Sequence, residues 1–224
     1  MTTPAHDLVI FDCDGVLIDS EPLASRTLAE ALSAAGLPFT ATEALLTFTG
    51  KSESQIRAEL AARGLTDPSP TLADWQQRLF AAFRTELRCM EGIEALLDLL
   101  AQKICVASNS GMARLEGSLG LTPLWARFAP HVYSGADMPR PKPAPDLVQH
   151  CLARMDTPAT RAVMIDDSAT GILAARAAGC HAIGFVAPGD PRPDRARALR
   201  DAGAHDVAHG TAELAALLHP NRPT

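Results

Sequence analysis

Asp12 and Asp14 stand two residues apart at the end of the apolar run Leu8-Val9-Ile10-Phe11, and Gly15 follows at once. Two carboxylates so close repel one another, which calls for a cation, a proton or both. The apolar run predicts a short strand buried on both faces, as in a parallel sheet. Acidic side chains at its C-terminal end would emerge where open α/β sheets bind ligands. Metal-assisted chemistry is the first expectation. The bland alternative is an Asp-Gly turn with one carboxylate capping the next helix.

The same arrangement recurs along the chain. Ile104-Cys105-Val106-Ala107 runs into Ser108-Asn109-Ser110, and Ala162-Val163-Met164-Ile165 runs into Asp166-Asp167-Ser168. The loop beyond a third short strand, Val132-Tyr133, carries Arg140-Pro141-Lys142-Pro143. Each piece has a local explanation: Ser108 as a helix cap, Lys142 as a surface lysine, Asp166-Asp167 as a helix N-terminus. In a parallel sheet, however, these strand ends share one edge, so four carboxylates, neutral donors and a lysine converge. Hard oxygen ligands suit Mg²⁺, and the cationic and neutral donors suit phosphate oxygens.

Positioning these ends requires alternating strands and helices. Beyond Gly92, further strands are predicted at Ala182-Ile183-Gly184-Phe185-Val186 and Asp206-Val207, with helices near 93–101, 112–119, 145–154, 170–178 and 211–218. Strand, helix and strand in repetition mean a parallel sheet with right-handed crossovers. Residues 21–88 instead carry helical patterns. Leu23, Leu28, Ala31, Leu32 and Ala35 form a stripe ended by Gly36; Leu45 and Phe48 suggest a short helix before Gly50. Ser52 with Gln55 resembles a capping box opening a helix that closes at Gly64, and Trp75, Leu79, Phe83 and Leu87 share a face. The fold class expected is therefore α/β: a doubly wound core, 1–18 and 90–224, interrupted after its first strand by a helical insert, 19–89.

Among 224 residues, 26 acidic against 20 basic side chains leave a formal net charge of -6, which argues against a nucleic-acid or anionic-membrane partner. The arginines between 192 and 200 read as a solvated helix face. No apolar run approaches the roughly 20 residues needed to span a bilayer, and residues 1–7 do not resemble a secretory leader. Five cysteines without a C-x-x-C pair suit reduced thiols in a cytoplasm. Cys13 reads as a packing residue. His205 and His209 have a helical metal-pair spacing, but the segment between them is strand-like and no third ligand is near.

The segments D-C-D-G-V-L-I-D-S-E, A-S-N-S, R-P-K-P-A-P-D and I-D-D-S-A-T-G-I-L-A-A-R-A-A-G resemble the four motifs of the haloacid dehalogenase superfamily. The resemblance covers nearly the whole chain, and within the superfamily it is greatest to the phosphoglucomutase-like sugar-phosphate phosphatases. It implies a Rossmann-like core with a helical cap and an Mg²⁺-dependent phosphatase working through an aspartyl phosphate. Asp12 would be the nucleophile, and Asp14 would protonate the leaving oxygen and then deprotonate water. Ser108 and Asn109 would bind phosphate, and Lys142 would neutralise the nucleophile and the phosphoryl charge. Asp12, Asp166, Asp167 and the backbone carbonyl of Asp14 would hold the metal, with the order of Asp166 and Asp167 open.

The implied substrate is a small phosphate ester such as a sugar phosphate, 6-phosphogluconate or phosphoglycolate, read in part by cap residues. Lys51, in the loop Gly50-Lys51-Ser52, is the candidate for a second anionic group, or else an exposed lysine. Ser20 and Glu21, with Asp19, are expected at the hinge. A β-phosphoglucomutase-type transfer is the alternative. The resembling mutases carry a histidine where this chain has Ala24 and a cap arginine where it has Glu53, which weakens that reading. A phosphoacceptor receiver domain would keep its paired acids at the first strand and lack the insert, and a catalytically silent interaction protein would not need the complete acidic set. Neither nucleic acid nor membrane is expected as a partner, and the chain is expected to act as a monomer.

Overall fold

Leu8, Val9, Ile10 and Phe11 are completely buried, and they form the central strand of a six-stranded sheet. The computed structural model describes residues 6–49 and 53–218. In chain order, β1 (Leu8–Phe11) precedes the helices α1 (Glu21–Ala34), α2 (Ala41–Phe48), α3 (Glu53–Ala62) and α4 (Ser69–Glu86). Then come α5 (Ile93–Leu99), β2 (Lys103–Ser108), α6 (Met112–Glu116), α7 (Trp125–Phe128), β3 (Val132–Ser134) and α8 (Asp146–Arg154). The chain closes with β4 (Ala162–Asp166), α9 (Ala169–Ala177), β5 (His181–Val186), α10 (Arg195–Asp201), β6 (Asp206–His209) and α11 (Gly210–Leu218).

The strand order is β3-β2-β1-β4-β5-β6 with every pairing parallel, so the fold is the α/β doubly wound sheet expected from the alternation. The order in which strands are added reverses about β1, from β2 and β3 on one side to β4, β5 and β6 on the other, and the crevice of such a sheet opens at the C-terminal ends of the strands beside that switch. Phe11 is in register with Val106 of β2 and Ile165 of β4. One residue further, Asp12 N–H still donates to Ile165 O at 2.9 Å, so the first acidic residue leaves the sheet in a fixed orientation. Packing beneath is apolar: Leu8, Ile10, Cys105, Ala107, Met164, Ile172 and Ala175 belong to one buried cluster. Cys13 is likewise fully buried.

Two units divide the chain: Met1–Ile18 with Cys89–Thr224, and Asp19–Arg88. Cys89, expected within the insert, belongs to the α/β unit because it bridges antiparallel to Ile18 there. In the helical unit, Leu28, Leu32, Phe48, Ile56, Leu60 and Leu72 pack into a core of their own. A capping box joins Thr40 and Glu43 at the start of α2. Trp75 adds the hydrogen bond Nε1–H to Ala24 O at 3.1 Å. Gly50, Lys51 and Ser52, and with them the proposed Ser52 cap, lie outside the described residues. Ser20 is buried before the first turn of α1 and Glu21 is its first residue, so both belong to the helical unit.

The sequence reading passes over the short α7. It also expects Arg192 and Arg195 on a solvated face, whereas both turn toward buried acids. Among the described residues no helix is long and apolar enough to cross a membrane.

Candidate active site

Lys142 reaches the site from the proline-rich loop after β3, and its ammonium uses all three of its donors. Nζ donates to Asp12 Oδ1 at 2.6 Å, to Asp166 Oδ2 at 2.8 Å and to Ala107 O at 3.0 Å. The ion-paired side chains are almost fully buried, at 3% exposure for Lys142, 9% for Asp12 and 1% for Asp166. The loop is held open for this reach by Asn109: its Oδ1 accepts from Lys142 N–H at 2.9 Å and its Nδ2 donates to Lys142 O at 3.0 Å. Gly135 makes room for that amide, since a Cβ there would stand 2.6 Å from Asn109 Oδ1.

Asp166 ends β4, and Ser168 caps α9. Ser168 Oγ accepts from Gly171 N–H at 3.0 Å and donates to Asp166 Oδ1 at 2.6 Å, while Ser168 N–H donates to the same oxygen at 2.9 Å. With Lys142 on Oδ2, both oxygens of Asp166 are engaged. Gly171 is required by closeness, because a Cβ on it would lie 1.8 Å from Asp166 Oδ2. Asp167 faces a different set: Arg195 Nη2 donates to its Oδ2 at 2.8 Å.

One ligand atom from each of Asp12, Asp166 and Asp167 falls within a 4.8 Å group. All three residues are buried, with Lys142 against Asp12 and Asp166 and the guanidinium groups of Arg195 and Arg192 against Asp167. Burial pushes the Asp12 carboxyl well above the usual carboxylate range; Lys142 pulls it down, while Asp166 and Asp167 push it up again. Asp167 is raised by burial, with Arg195 opposing and Asp166 adding. Burial opposes the charge on Lys142, yet Asp12 and Asp166 raise its pKa above the ordinary lysine value. Three carboxylates gathered in one buried cleft are the donor set of a hard divalent cation, and Mg²⁺ fits it.

The carboxylate of Asp14 is turned elsewhere. Ser110 Oγ donates to its Oδ2 at 2.9 Å and Arg114 Nη2 to its Oδ1 at 3.3 Å, so its side chain stands outside the group of three. Ser108 is buried at the end of β2, and its Oγ accepts from Ser110 N–H at 3.2 Å. All the expected core residues thus gather at the C-terminal ends of β1, β2 and β4 and on the loop after β3.

The sequence alone assigns no individual role to Ser110, Arg114, Ser168 or Asp190, and it reads Arg192 and Arg195 as part of a solvated face. Ser168 carried a usable signal, a serine between a strand end and a helix start. Arg114 and Arg195 carried none, since their partners lie 100 and 28 residues away.

A haloacid dehalogenase-like hydrolase family model matches residues 6–179. The 6-phosphogluconate phosphatase of Escherichia coli K12 is 29% identical, with 84% of this chain and 86% of that protein covered. A plasmid-borne phosphoglycolate phosphatase of Cupriavidus necator is 30% identical, with coverage of 86% and 88%. Among solved structures, a HAD family hydrolase of Deinococcus radiodurans R1 with bound phosphate and sodium matches at TM-score 0.83 and 33% identity, covering 97% of each chain.

Proposed function

The chain belongs to the haloacid dehalogenase-like hydrolases, and from that premise we propose that it is an Mg²⁺-dependent phosphatase of small phosphorylated metabolites, working through an aspartyl phosphate on Asp12. The observation that carries this reading is the buried Lys142 ammonium bridging Asp12 and Asp166, with Asp167 in the same 4.8 Å group. Phosphatase relatives that act on 6-phosphogluconate and on phosphoglycolate support a small anionic ester as the substrate class.

Asp12 and Asp167, with the backbone carbonyl of Asp14, would hold the cation directly. Asp166, whose oxygens are occupied by Lys142 and Ser168, would act at one remove through water. When bound, the cation supplies positive charge beside the phosphoryl oxygens. Lys142 keeps Asp12 oriented and offsets the charge that a carboxylate meets on approaching a phosphate dianion. Ser108 donates to a phosphate oxygen, and Asn109 acts by holding the backbone of Lys142. Asp14 protonates the leaving oxygen and then takes a proton from the water that hydrolyses the acyl phosphate. For that step it must leave Ser110 and Arg114 or carry their hydrogen bonds with it.

Ala24 and Glu53, where resembling mutases carry histidine and arginine, favour release of inorganic phosphate over its return. Substrate choice is assigned in part to Lys51: Lys51→Ala should raise KM for the preferred anionic substrate and spare p-nitrophenyl phosphate. The five free cysteines suit the reducing cytoplasm in which the protein is taken to act.

The test is a panel of phosphorylated small molecules with MgCl₂ and with EDTA. Phosphate release from at least one ester, abolished by EDTA and by Asp12→Asn in a folded protein, is expected. Turnover by Asp12→Asn equal to that of the unsubstituted enzyme would overturn the mechanism.

A further inference from the structure

Asp167 is gripped from outside the acid group by two guanidinium groups. Arg195 Nη2 donates to Asp167 Oδ2 at 2.8 Å, and Arg192 Nη2 stands 3.6 Å from the same oxygen. Behind them lies Asp190, whose side chain is only 3% exposed. Arg192 donates to it in a fork, Nε to Oδ1 at 2.8 Å and Nη2 to Oδ2 at 2.7 Å, and Arg195 Nε lies 3.8 Å from that Oδ2. Acid and base alternate through Asp167, Arg195, Asp190 and Arg192.

The loop presets this arrangement. Pro188, Pro191 and Pro193 restrict the backbone between β5 and α10, and Arg192 N–H donates to Asp190 Oδ1 at 2.9 Å. Arg195 is the first residue of α10, a helix that packs on β5 beside the strand whose end carries Asp167. None of these four contacts involves Lys142 or Asp12, so they form a second support, independent of the one that holds Asp166.

We propose that Arg195 is a positioning residue of the metal site: it pins Oδ2 of Asp167 so that Oδ1 is presented to the cation, with Asp190 and Arg192 holding Arg195 in place. The inference rests on the reading that Asp167 is a metal ligand. Two opposite effects compete here. A guanidinium near a cation repels it, which weakens binding. An unpinned Asp167, buried beside Asp166, is pushed to turn away from that like charge, which removes a ligand. Hydrogen-bonding partners of metal ligands are worth about 10–100-fold in affinity, so loss of positioning outweighs relief of repulsion.

The experiment is calorimetric titration of the full chain with MgCl₂, supported by Mn²⁺ binding followed by electron paramagnetic resonance. Arg195→Met should bind about tenfold or more weakly. Arg195→Lys, which keeps a cationic N–H donor of nearly the same reach, should keep affinity close to that of the unsubstituted protein. If Arg195→Met does not fold, Arg195→Gln, two bonds too short to make the 2.8 Å contact, takes its place and should bind about tenfold more weakly. Unchanged or tighter binding by Arg195→Met overturns the proposal. So does an Arg195→Gln variant that binds much more tightly than the unsubstituted protein, since the guanidinium would then act only as a repelling charge. Failure of the unsubstituted protein to bind either ion would overturn the metal site itself and the inference with it.

Discussion

Asn109 grips Lys142 by the backbone at both ends of one peptide-like amide, accepting from its N–H at 2.9 Å and donating to its C=O at 3.0 Å. The lysine's ammonium then reaches Asp12 and Asp166 from the stretch between the short 3-10 helix Gly135–Asp137 and α8. Orientation of a buried cation has been delegated to a side chain on a different strand end.

Asn109→Ala should therefore cost more than a lost surface contact. Two hydrogen bonds to the backbone of the buried Lys142 are worth about 1–3 kcal/mol together. Turnover should fall because Lys142 is held less firmly, even with p-nitrophenyl phosphate, which carries no second anionic group. Urea denaturation and kcat on that ester measure the two effects; a variant with unchanged stability and reduced turnover would place Asn109 on the phosphate instead of the loop.

Lys142→Met leaves Asp12 and Asp166 buried without their common counter-charge. Breaking such a pair costs about 3–5 kcal/mol. The loss should be largest in EDTA and smaller in excess MgCl₂, because a cation bound only by the folded state stabilises it by mass action. Thermal melts in both buffers test this, and equal losses in the two would argue that no cation reaches these carboxylates.

Gly171→Ala would ordinarily stabilise a helix by about 1 kcal/mol. Here the added Cβ would meet Asp166 Oδ2 at 1.8 Å, so either the carboxylate or α9 must move. Overpacking of this kind costs about 1–3 kcal/mol, and displacement of Asp166 from Lys142 should reduce turnover with it. Gly111→Ala, where a Cβ meets nothing within 4 Å, serves as the control and should behave like the unsubstituted protein in melts and assays.

At the opposite edge of the sheet, His181 and His205 stack with ring centroids 4.3 Å apart, and His6 lies 5.2 Å from His181. Neither ring nitrogen of His6 has a hydrogen-bond partner among the described residues. Burial lowers the pKa of His6, with His181 and Arg161 adding and Asp7 opposing; burial, His181 and Arg176 lower that of His205 against Asp206. The unfolded chain then binds more protons than the folded one below the ordinary histidine value of 6.5, so this contribution to stability is present above that pH and lost as pH falls. The melting temperature should drop between pH 8 and 5.5, and drop less in His6→Phe. Parallel curves for the two proteins would show that His6 is not a source of the loss.

Much of the architecture was legible because it is local. Leu8–Phe11 announces a buried strand by its unbroken apolar run, and the polar residues that end it, Asp12 and Asp14, mark where the run leaves the core. The same break at Ala107-Ser108 and Ile165-Asp166 puts these polar ends on one edge of a parallel sheet. A charged residue, by contrast, shows its own exposure only through its partners. Arg195 follows a proline-rich loop and opens a helix, and nothing within its own turn distinguishes it from a solvated arginine. Its partner Asp167 is 28 residues away, as Lys142 is 130 residues from Asp12 and Arg114 is 100 from Asp14. The order β3-β2-β1-β4-β5-β6 makes those separations short, and it is set by which strands pair across the sheet. Periodicity and apolar runs report how a segment meets the core; which acid meets which base depends on tertiary packing, because a buried charge takes whatever counter-charge the packed strands bring within reach.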